Sequence, residues 1–417
     1  GIDYIYQFDK NKIAYVMSVD TSDIVYLTLL ELSILLTAAQ AVRVLTQRYY
    51  LPSIFAEMLV GIILSPYALG GILNSLFHVD LFQINSYLTL FADFSVILLI
   101  FASGLSHGFK NLRSSGLLGF LAATFGALIP VILVYFTFQI IYPLEVSALM
   151  GAASAATSLA ATSSIIEDFK LYKKNFARIM ISAAALDDVV SLIILSVILE
   201  IESVKVISFL NVAYNVTITI LSWVIILFLS VFIIPRILSH IRDELINQVS
   251  LLILFLLVFL MLLLGFSPII ASFVAGVAIA ESIKSSKISS FTSTLLAVFG
   301  PIFFIYVGIE TPISTFVNAN DVLLGLLMTF LASVGKIAGI FPFAFIYTKS
   351  VKESFLASIG MLPRGEVGLV VATLGLTSSI FTVDEYSQVI IMALVTTIVG
   401  GVLFTYLVKK WVIEVQK

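Results

Sequence analysis

Two adjacent aspartates, Asp187 and Asp188, lie in the middle of the hydrophobic segment ISAAALDDVVSLIIL. Neighbouring residues of a helix point about 100° apart, so the two carboxylates cannot address the same partner. We expect one to face a fixed counter-charge and the other to face a water-filled cavity. A carboxylate in a poorly solvated site binds either a proton or a hard alkali cation through the same oxygens. The pair therefore predicts a proton-and-cation exchange site, with a buried structural salt bridge as the alternative.

Lys336 is the expected partner of one of these aspartates. It lies in the hydrophobic stretch FLASVGKIAGIFPF, where small flanking residues allow another helix to approach closely. A charge at the centre of a bilayer costs at least ~2.5–3.5 kcal/mol, so it must be compensated there. Snorkelling of the long side chain to a lipid headgroup is the alternative interpretation.

An uncharged segment, GAASAATSLAATSSII, is rich in small hydroxyl residues. Such residues suit close packing between helices, but they also suit a broken helix whose exposed carbonyls and hydroxyls bind a cation. We predict Thr157 and Ser158 as the oxygen ligands of this segment.

A second unusual segment, GMLPRGEVGLVVA, carries Arg364 and Glu366 beside a proline and a glycine. Proline removes an internal hydrogen bond of a helix, and glycine tolerates unusual backbone geometry. A break at membrane depth is allowed only where it is buried in protein or lines a cavity. One such segment in each half of the chain points to an inverted-repeat transporter with crossing broken helices.

Helices that cross a membrane are needed to position these residues. The 417-residue chain is 60% hydrophobic and only 11% charged, with a mean hydropathy of +1.13, whereas soluble domains carry about 25% charged residues. The chain contains no cysteine, which excludes disulfides, thiolate metal sites and cysteine nucleophiles. No basic tail suggests nucleic acid as a partner. The composition predicts an all-α polytopic membrane protein in a lipid bilayer.

Hydrophobic runs of about 20 residues predict about thirteen transmembrane helices. These predicted spans cover residues 23–46, 52–73, 86–106, 115–142, 146–166, 176–201, 206–234, 245–264, 268–283, 291–309, 322–347, 355–378 and 386–407.

Basic residues divide unevenly between the loops that alternate along these spans. Seventeen of the 22 lysines and arginines fall in one set of loops, and Lys10, Lys12 and Lys205 form the other set. Because cytoplasmic loops carry the excess of Lys and Arg, we predict the amino terminus outside and the carboxy terminus in the cytoplasm.

These motifs together resemble the sodium/proton antiporters of the cation:proton antiporter superfamily, in the electrogenic double-aspartate branch (NapA and NhaA type). The resemblance covers nearly the whole chain. LPSIFAEMLVGIILSPYALG and FADFSVILLIFASGL are similar to the second and third helices of that family. The adjacent Asp187 and Asp188 match its double-aspartate motif, and Lys336 matches the lysine of that branch.

The two unusual segments also resemble the crossing helices of that family. Thr157 and Ser158 match the unwound part of the first crossing helix, and PRGEVGL is similar to the second, with Arg364 and Glu366. Some members carry an aspartate where Ser158 stands, so the charge compensation of the half-helices does not transfer unchanged.

The resemblance implies a homodimer with elevator-like alternating access. It implies a dimerisation domain formed by residues 23–106 and 245–309, and a core ion-transport domain formed by residues 115–201 and 322–407. The helix at residues 206–234 would link the two domains.

The resemblance also implies the roles of the site residues. Asp188 would be the principal carrier of Na⁺ and protons, and Asp187 would pair with Lys336 when no cation is bound and join the Na⁺ site when one is. Thr157 and Ser158 would supply neutral oxygens.

Arg364 and Glu366 would compensate charge at the second crossing, outside the set of ion ligands.

We therefore expect a secondary active antiporter, not an enzyme, that exchanges cytoplasmic Na⁺ or Li⁺ for external protons electrogenically in the plasma membrane of a prokaryote. No cofactor is expected besides the transported Na⁺ and H⁺. A K⁺/H⁺ antiporter on the same scaffold and an ion channel, which would show unitary currents, are alternatives. An intramembrane aspartyl protease is a distant one, because its two carboxylates must face one water and normally come from different segments.

Overall fold

The computed structural model describes residues 21–49, 51–114, 116–158, 162, 165–166, 169–203 and 209–413. In this part of the chain the protein is all-helical, without any strand. The predicted outer basic residues Lys10, Lys12 and Lys205 and the first residues of the predicted linker span lie outside the described residues. The longer helices, in chain order, are α1 (Thr21–Thr46), α2 (Ser53–Ile63), α3 (Leu69–Phe77), α4 (Ser86–Ser114), α5 (Gly116–Phe138), α6 (Leu144–Ala153), α7 (Asn175–Ser203), α8 (Phe209–His240), α9 (Ile246–Leu263), α10 (Pro268–Ala280), α11 (Ser285–Ile309), α12 (Ala319–Thr348), α13 (Val351–Gly360), α14 (Glu366–Thr377) and α15 (Val383–Val408).

Nine helices in the described ranges are long and apolar enough to cross a membrane. Shorter apolar helices, α2, α6, α10 and α14, lie among them. Every predicted hydrophobic run contains at least one described helix, and the all-α prediction is confirmed, while the count of thirteen spans stays a prediction. Two predicted spans, 52–73 and 355–378, are each divided into two helices. Pro66 and Pro363 lie at these divisions, because proline cannot donate the backbone hydrogen bond that a continuous helix requires.

Helix starts follow local sequence signals. Thr382 and Glu385 form a capping box at the start of α15, where each side chain pairs with the backbone of the other residue. Ser267 accepts a hydrogen bond from the first turn of α10, and Pro268 occupies the first helical position, where its missing N–H costs nothing. These signals fix where the apolar segments begin.

Helix α4 packs mainly against α10 and α11. Its contact with α10 is a backbone-to-backbone crossing at two glycines. A Cβ atom on Gly104 would lie 2.3 Å from the carbonyl oxygen of Phe273, and one on Gly276 would lie 2.2 Å from that of Phe101. Any side chain at these glycines would force the helices apart, so the crossing fixes α4 on α10.

Helix α12 packs mainly against α5, α13 and α15, and α7 packs mainly against α5. A close crossing again occurs at a glycine, since a Cβ atom on Gly339 would lie 2.3 Å from the carbonyl oxygen of Phe125. Helix α8 contacts both α7 and α10, so it touches the group of helices around α5 and the group around α4.

An ion pair between a half-buried lysine and an exposed aspartate links the loop after α8 to the start of α11. Lys284 Nζ lies 2.9 Å from Asp243 Oδ1. This pairing with Lys284 lowers the pKa of the Asp243 carboxyl below its usual value. Lys287 adds a hydrogen bond to the Asp243 carbonyl oxygen, 2.8 Å.

Candidate functional site

Two interrupted helices meet inside the bundle. Helix α6 ends at Ala153 and the chain is non-helical at residues 156–158, while residues 361–365 separate α13 from α14. The two breaks bond to each other. The backbone N–H of Ser158 donates to the carbonyl oxygen of Pro363 (2.9 Å), and the hydroxyl of Thr157 donates to that of Met361 (3.1 Å). Donors of the first break thus form hydrogen bonds with carbonyl oxygens that the second break leaves without a helical partner.

Arg364 is fully buried between the two breaks, and the described hydrogen bonds of its guanidinium all go to backbone carbonyls. Its Nε donates to Ser154 O (2.8 Å), at the end of α6, and its Nη2 donates to Ala332 O (3.1 Å), on α12. Its Nη1 donates to Leu362 O (2.6 Å) and to Met361 O (3.3 Å). A guanidinium has five N–H donors in a fixed fork, which suits it to hold several carbonyls of broken helices at once.

A buried ion pair stands beside the first break. Lys336 Nζ lies 3.1 Å from Asp187 Oδ1, and the two side chains are 0% and 1% exposed. Lys336 also donates to Ala155 O at 2.7 Å, and Asp187 Oδ2 accepts the backbone N–H of Thr157 at 2.6 Å. The pair is therefore built into the break between α6 and the following residues, and it is not a lysine that snorkels to a headgroup.

Asp188, one residue further along α7, faces a different environment. It lines a cavity of about 330 Å³ together with Ser103, Thr157 and Glu366. The remaining wall is mostly apolar and comes from α4, α7, α11 and α14. The cavity reaches the exposed Ser106 and lies towards the end of the bundle at which α4 ends and α7 and α11 begin. Asp188 is thus the carboxylate of the pair that faces open space.

The structure brings the predicted site residues together, but only some of them face the cavity. Asp187 and Ser158 are buried behind its wall. The Ser158 side chain lies near the carboxylate of Glu366, and its Cβ would be 2.3 Å from a Cβ placed on Gly365. Glu366, predicted to lie outside the set of ion ligands, lines the cavity with Asp188. The roles of these residues in ion binding stay predictions.

Ser103 was not among the predicted site residues. Its hydroxyl donates to Asp188 Oδ2 at 2.5 Å. The sequence offers no signal for it beyond its type, because single serines in spans usually pack or bond to their own helix.

The oxygens at the cavity define what the site can bind. Two carboxylates, Asp188 and Glu366, and two hydroxyls, Ser103 and Thr157, line the same space. Hard cations prefer oxygen ligands, and a carboxylate takes up a proton at the same atoms. The arrangement therefore suits competition between a hard cation and a proton.

Solved structures share this architecture. The structure of the sodium proton antiporter MjNhaP1 from Methanocaldococcus jannaschii at pH 8 matches with a TM-score of 0.67 and 20% identity, over 93% of this chain and 97% of that chain. This likeness defines the fold of a multi-pass helical membrane protein. Residues 32–410 match the family sodium/hydrogen exchanger, transmembrane. The chain belongs to that family, which is one of transporters and not of enzymes.

Two relatives are matched over nearly their whole length. The Na⁺/H⁺ antiporter of Enterococcus hirae is 25% identical over 385 residues, which is 91% of this chain and 97% of the relative. The Na⁺/H⁺-K⁺ antiporter GerN of Bacillus cereus is 26% identical over 379 residues, which is 90% of this chain and 95% of the relative.

Proposed function

We propose that this protein is a secondary active antiporter that exchanges cytoplasmic Na⁺ for external protons by alternating access. The observation that carries the proposal is the pair of adjacent aspartates at the crossing of two broken helices. One of them is held by a buried lysine, and the other lines a cavity. The names of the relatives from Enterococcus hirae and Bacillus cereus support the same exchange.

In the proposed cycle, Asp188 carries the proton or the Na⁺, and Thr157 supplies a neutral oxygen. Asp187 pairs with Lys336 while no cation is bound and joins the Na⁺ site when one enters. Ser158, on the same break, would supply a second neutral oxygen. Li⁺ would be accepted by the same oxygens. The cycle uses no cofactor and no covalent chemistry.

Arg364 and Glu366 act at the second break in this proposal. Arg364 holds the exposed carbonyls in place, so the break keeps its shape when the charge of the site changes. Glu366 adds negative charge at the cavity wall, which favours the entry of a cation.

We assign the helices to two moving parts. The dimerisation domain would be formed by residues 23–106 and 245–309, and the core transport domain by residues 115–201 and 322–407. The linker would lie at residues 206–234. The tight packing of α4 on α10 and of α12 on α5 supports this division, and so does the contact of α8 with both sets. The protein would act as a homodimer in which the core slides like an elevator.

The orientation follows from the basic loops. With the amino terminus outside, the ends of the bundle that carry most Lys and Arg residues face the cytoplasm of a prokaryotic plasma membrane. The cavity that contains Asp188 lies towards that end. It would therefore be the cytoplasmic access to the site.

Electrogenic exchange, as in the NapA and NhaA type, follows from counting charge. In the proton-loaded state, Lys336 is positive, Asp187 is negative and Asp188 is neutral, so the site sums to zero. When Na⁺ recruits both carboxylates, Lys336 loses its partner in a dry place, and release of its proton is favoured. Two protons would then exchange for one Na⁺, and one net charge would cross the membrane in each cycle.

A K⁺/H⁺ antiporter is the second candidate, because GerN is named a Na⁺/H⁺-K⁺ antiporter. A channel is disfavoured by the buried ion pair, which suits a coupled exchange of charges. An intramembrane protease is disfavoured by the different environments of Asp187 and Asp188, which do not face one water together.

The test is transport in proteoliposomes. Gradients of Na⁺, Li⁺ or K⁺ are imposed and the lumenal pH is followed, with Asp188→Asn as the critical variant. The amide neither carries a proton at neutral pH nor neutralises a cation, so Na⁺-driven proton movement should be abolished. Asp243→Asn, at an exposed carboxylate that does not line the cavity, is the matched control and should transport normally. Exchange that persists in a folded Asp188→Asn protein would remove this residue from the mechanism.

Electrogenicity is tested in the same vesicles with a potassium–valinomycin clamp. One net charge per cycle couples transport to voltage by ~2.3 kcal/mol per 100 mV, so an inside-negative potential should accelerate Na⁺ export. Rates that ignore the voltage, with one proton counted per Na⁺, would refute the release of a proton by Lys336 while leaving the antiport proposal intact.

A further inference from the structure

Ser103 connects two sets of helices at the ion site. Its hydroxyl, on α4, donates to Asp188 Oδ2 on α7 at 2.5 Å, across 85 residues of sequence. The main partners of α4 are α10 and α11, whereas α7 packs mainly on α5. The hydrogen bond therefore links a helix of the proposed dimerisation domain to the carboxylate proposed to carry the ion.

The position of Ser103 is set by the helix crossing next to it. Gly104 and Gly276 bring α4 and α10 into backbone contact, with no side chain between them that could yield. In addition, the hydroxyl of Ser106 donates to the carbonyl oxygen of Ser103 at 2.9 Å. Ser103 is consequently held at one height on a rigid wall, while Asp188 belongs to the part proposed to move.

One turn before Ser103, the residues of α4 that line the cavity are apolar. Leu99 and Ile100 line the same cavity, and Asp93 and Val96 line a separate cavity of about 80 Å³ further along the helix. A shift of α7 by one helical turn, about 5.4 Å, towards the start of α4 would place Asp188 beside apolar side chains. The hydroxyl is thus available to Asp188 only near the position that the structure describes.

We propose that Ser103 is a positioning residue for Na⁺ taken up from the cytoplasmic side. Its hydroxyl orients the Asp188 carboxylate towards the cavity while the core faces the cytoplasm, and it leaves that carboxylate when the core moves outward. This inference rests on the proposed antiport function. It assigns a role in one of the two access states to a residue of the dimerisation domain.

Sidedness provides the test, with Ser103→Thr and Ser103→Val as a matched pair of equal shape that differ in the hydroxyl. Everted membrane vesicles present Na⁺ to the cytoplasmic face, and right-side-out vesicles present it to the outer face. We expect Ser103→Val to raise the apparent KM for cytoplasmic Na⁺ about tenfold, the usual effect of losing one hydrogen bond to a charged group. The KM for external Na⁺ should not change, and Ser103→Thr should keep both values near those of the unmodified protein.

Ser103→Ala serves as a second variant without the hydroxyl, in case the valine disturbs the glycine crossing. Ser33→Ala, on α1 and away from the lining of this cavity, is the control, since its exposed hydroxyl bonds the carbonyl oxygen of Leu29 and not a carboxylate. An unchanged cytoplasmic KM in both variants that lack the hydroxyl would overturn the inference. Equal loss on both faces, or equal loss in Ser103→Thr, would show a purely structural role and would also overturn it. Absence of Na⁺-driven pH change in the unmodified protein would instead refute the antiport function itself.

Discussion

Removing the charge of Lys336 should cost far more stability than any exposed charge in the protein. In Lys336→Met, a stem of similar length fills the same space, but Asp187 keeps only the backbone N–H of Thr157 among its described partners. Both side chains of the pair are buried, at 0% and 1% exposure, so water cannot replace the lost partner. Breaking such a pair on one side destabilises by ~3–5 kcal/mol.

The double variant Lys336→Met/Asp187→Asn separates the cost of an unpaired buried charge from the cost of the other lost contacts. An asparagine oxygen still accepts the Thr157 N–H, and no unpaired charge remains, so the double variant should lie within ~2 kcal/mol of the unmodified protein. The cycle of two single variants and the double variant should therefore give a coupling free energy of at least ~3 kcal/mol.

The assay is equilibrium unfolding in mixed detergent micelles, followed by circular dichroism. Lys284→Met is the matched control, because its partner Asp243 is 68% exposed and water replaces the lost contact. Additivity of the two single variants, within ~0.5 kcal/mol, would show that Lys336 and Asp187 are not energetically paired.

Three further predictions concern the surroundings of the pair. Arg364→Lys should destabilise the protein by at least ~2 kcal/mol in the same unfolding assay. One ammonium group cannot reach the carbonyl oxygens at the end of α6, in the second break and on α12 at once. Unchanged stability would mean that water replaces the guanidinium. Gly339→Ala should destabilise the protein by ~1–3 kcal/mol, because its Cβ would lie 2.3 Å from a backbone oxygen. The control Gly300→Ala should be neutral, because no neighbour lies closer than 3.6 Å to its Cβ. Equal effects of the two substitutions would contradict the close crossing of the helices at Gly339. The apparent KM for Na⁺ should rise by up to about tenfold per unit as pH falls, since a proton and Na⁺ compete for Asp188; a KM independent of pH would argue for separate sites.

Much of the site was accessible from the sequence because its charges lie in apolar surroundings. The helical step between Asp187 and Asp188 indicates two environments, and the structure places one residue against Lys336 and the other at a cavity. Proline and glycine near Arg364 indicate a break, and residues 361–365 are indeed non-helical. These inferences rest on charged residues and on proline, whose placement within a membrane-spanning segment costs free energy.

Features that depend on distant partners were not accessible in this way. Nothing in the sequence near Ser103 indicates a bond to a residue 85 positions away. Periodicity does not reveal that Glu366, at the start of α14, lines the cavity while Ser158 turns behind its wall. Both outcomes depend on how the two breaks cross, which is decided by tertiary packing. Hydropathy alone likewise did not divide the span 52–73 into two helices.

The bonds of Arg364 have a consequence for how the chain is made. Its Nε pairs with the carbonyl oxygen of Ser154, which is synthesised 210 residues earlier. At about 5–20 residues per second, that carbonyl waits roughly 10–40 s for its partner during translation. In the nascent first half, the carbonyl oxygen of Ser154 would therefore lack its hydrogen bond to Arg364 at membrane depth. The first break should reach its final conformation only after the second half has been inserted beside it.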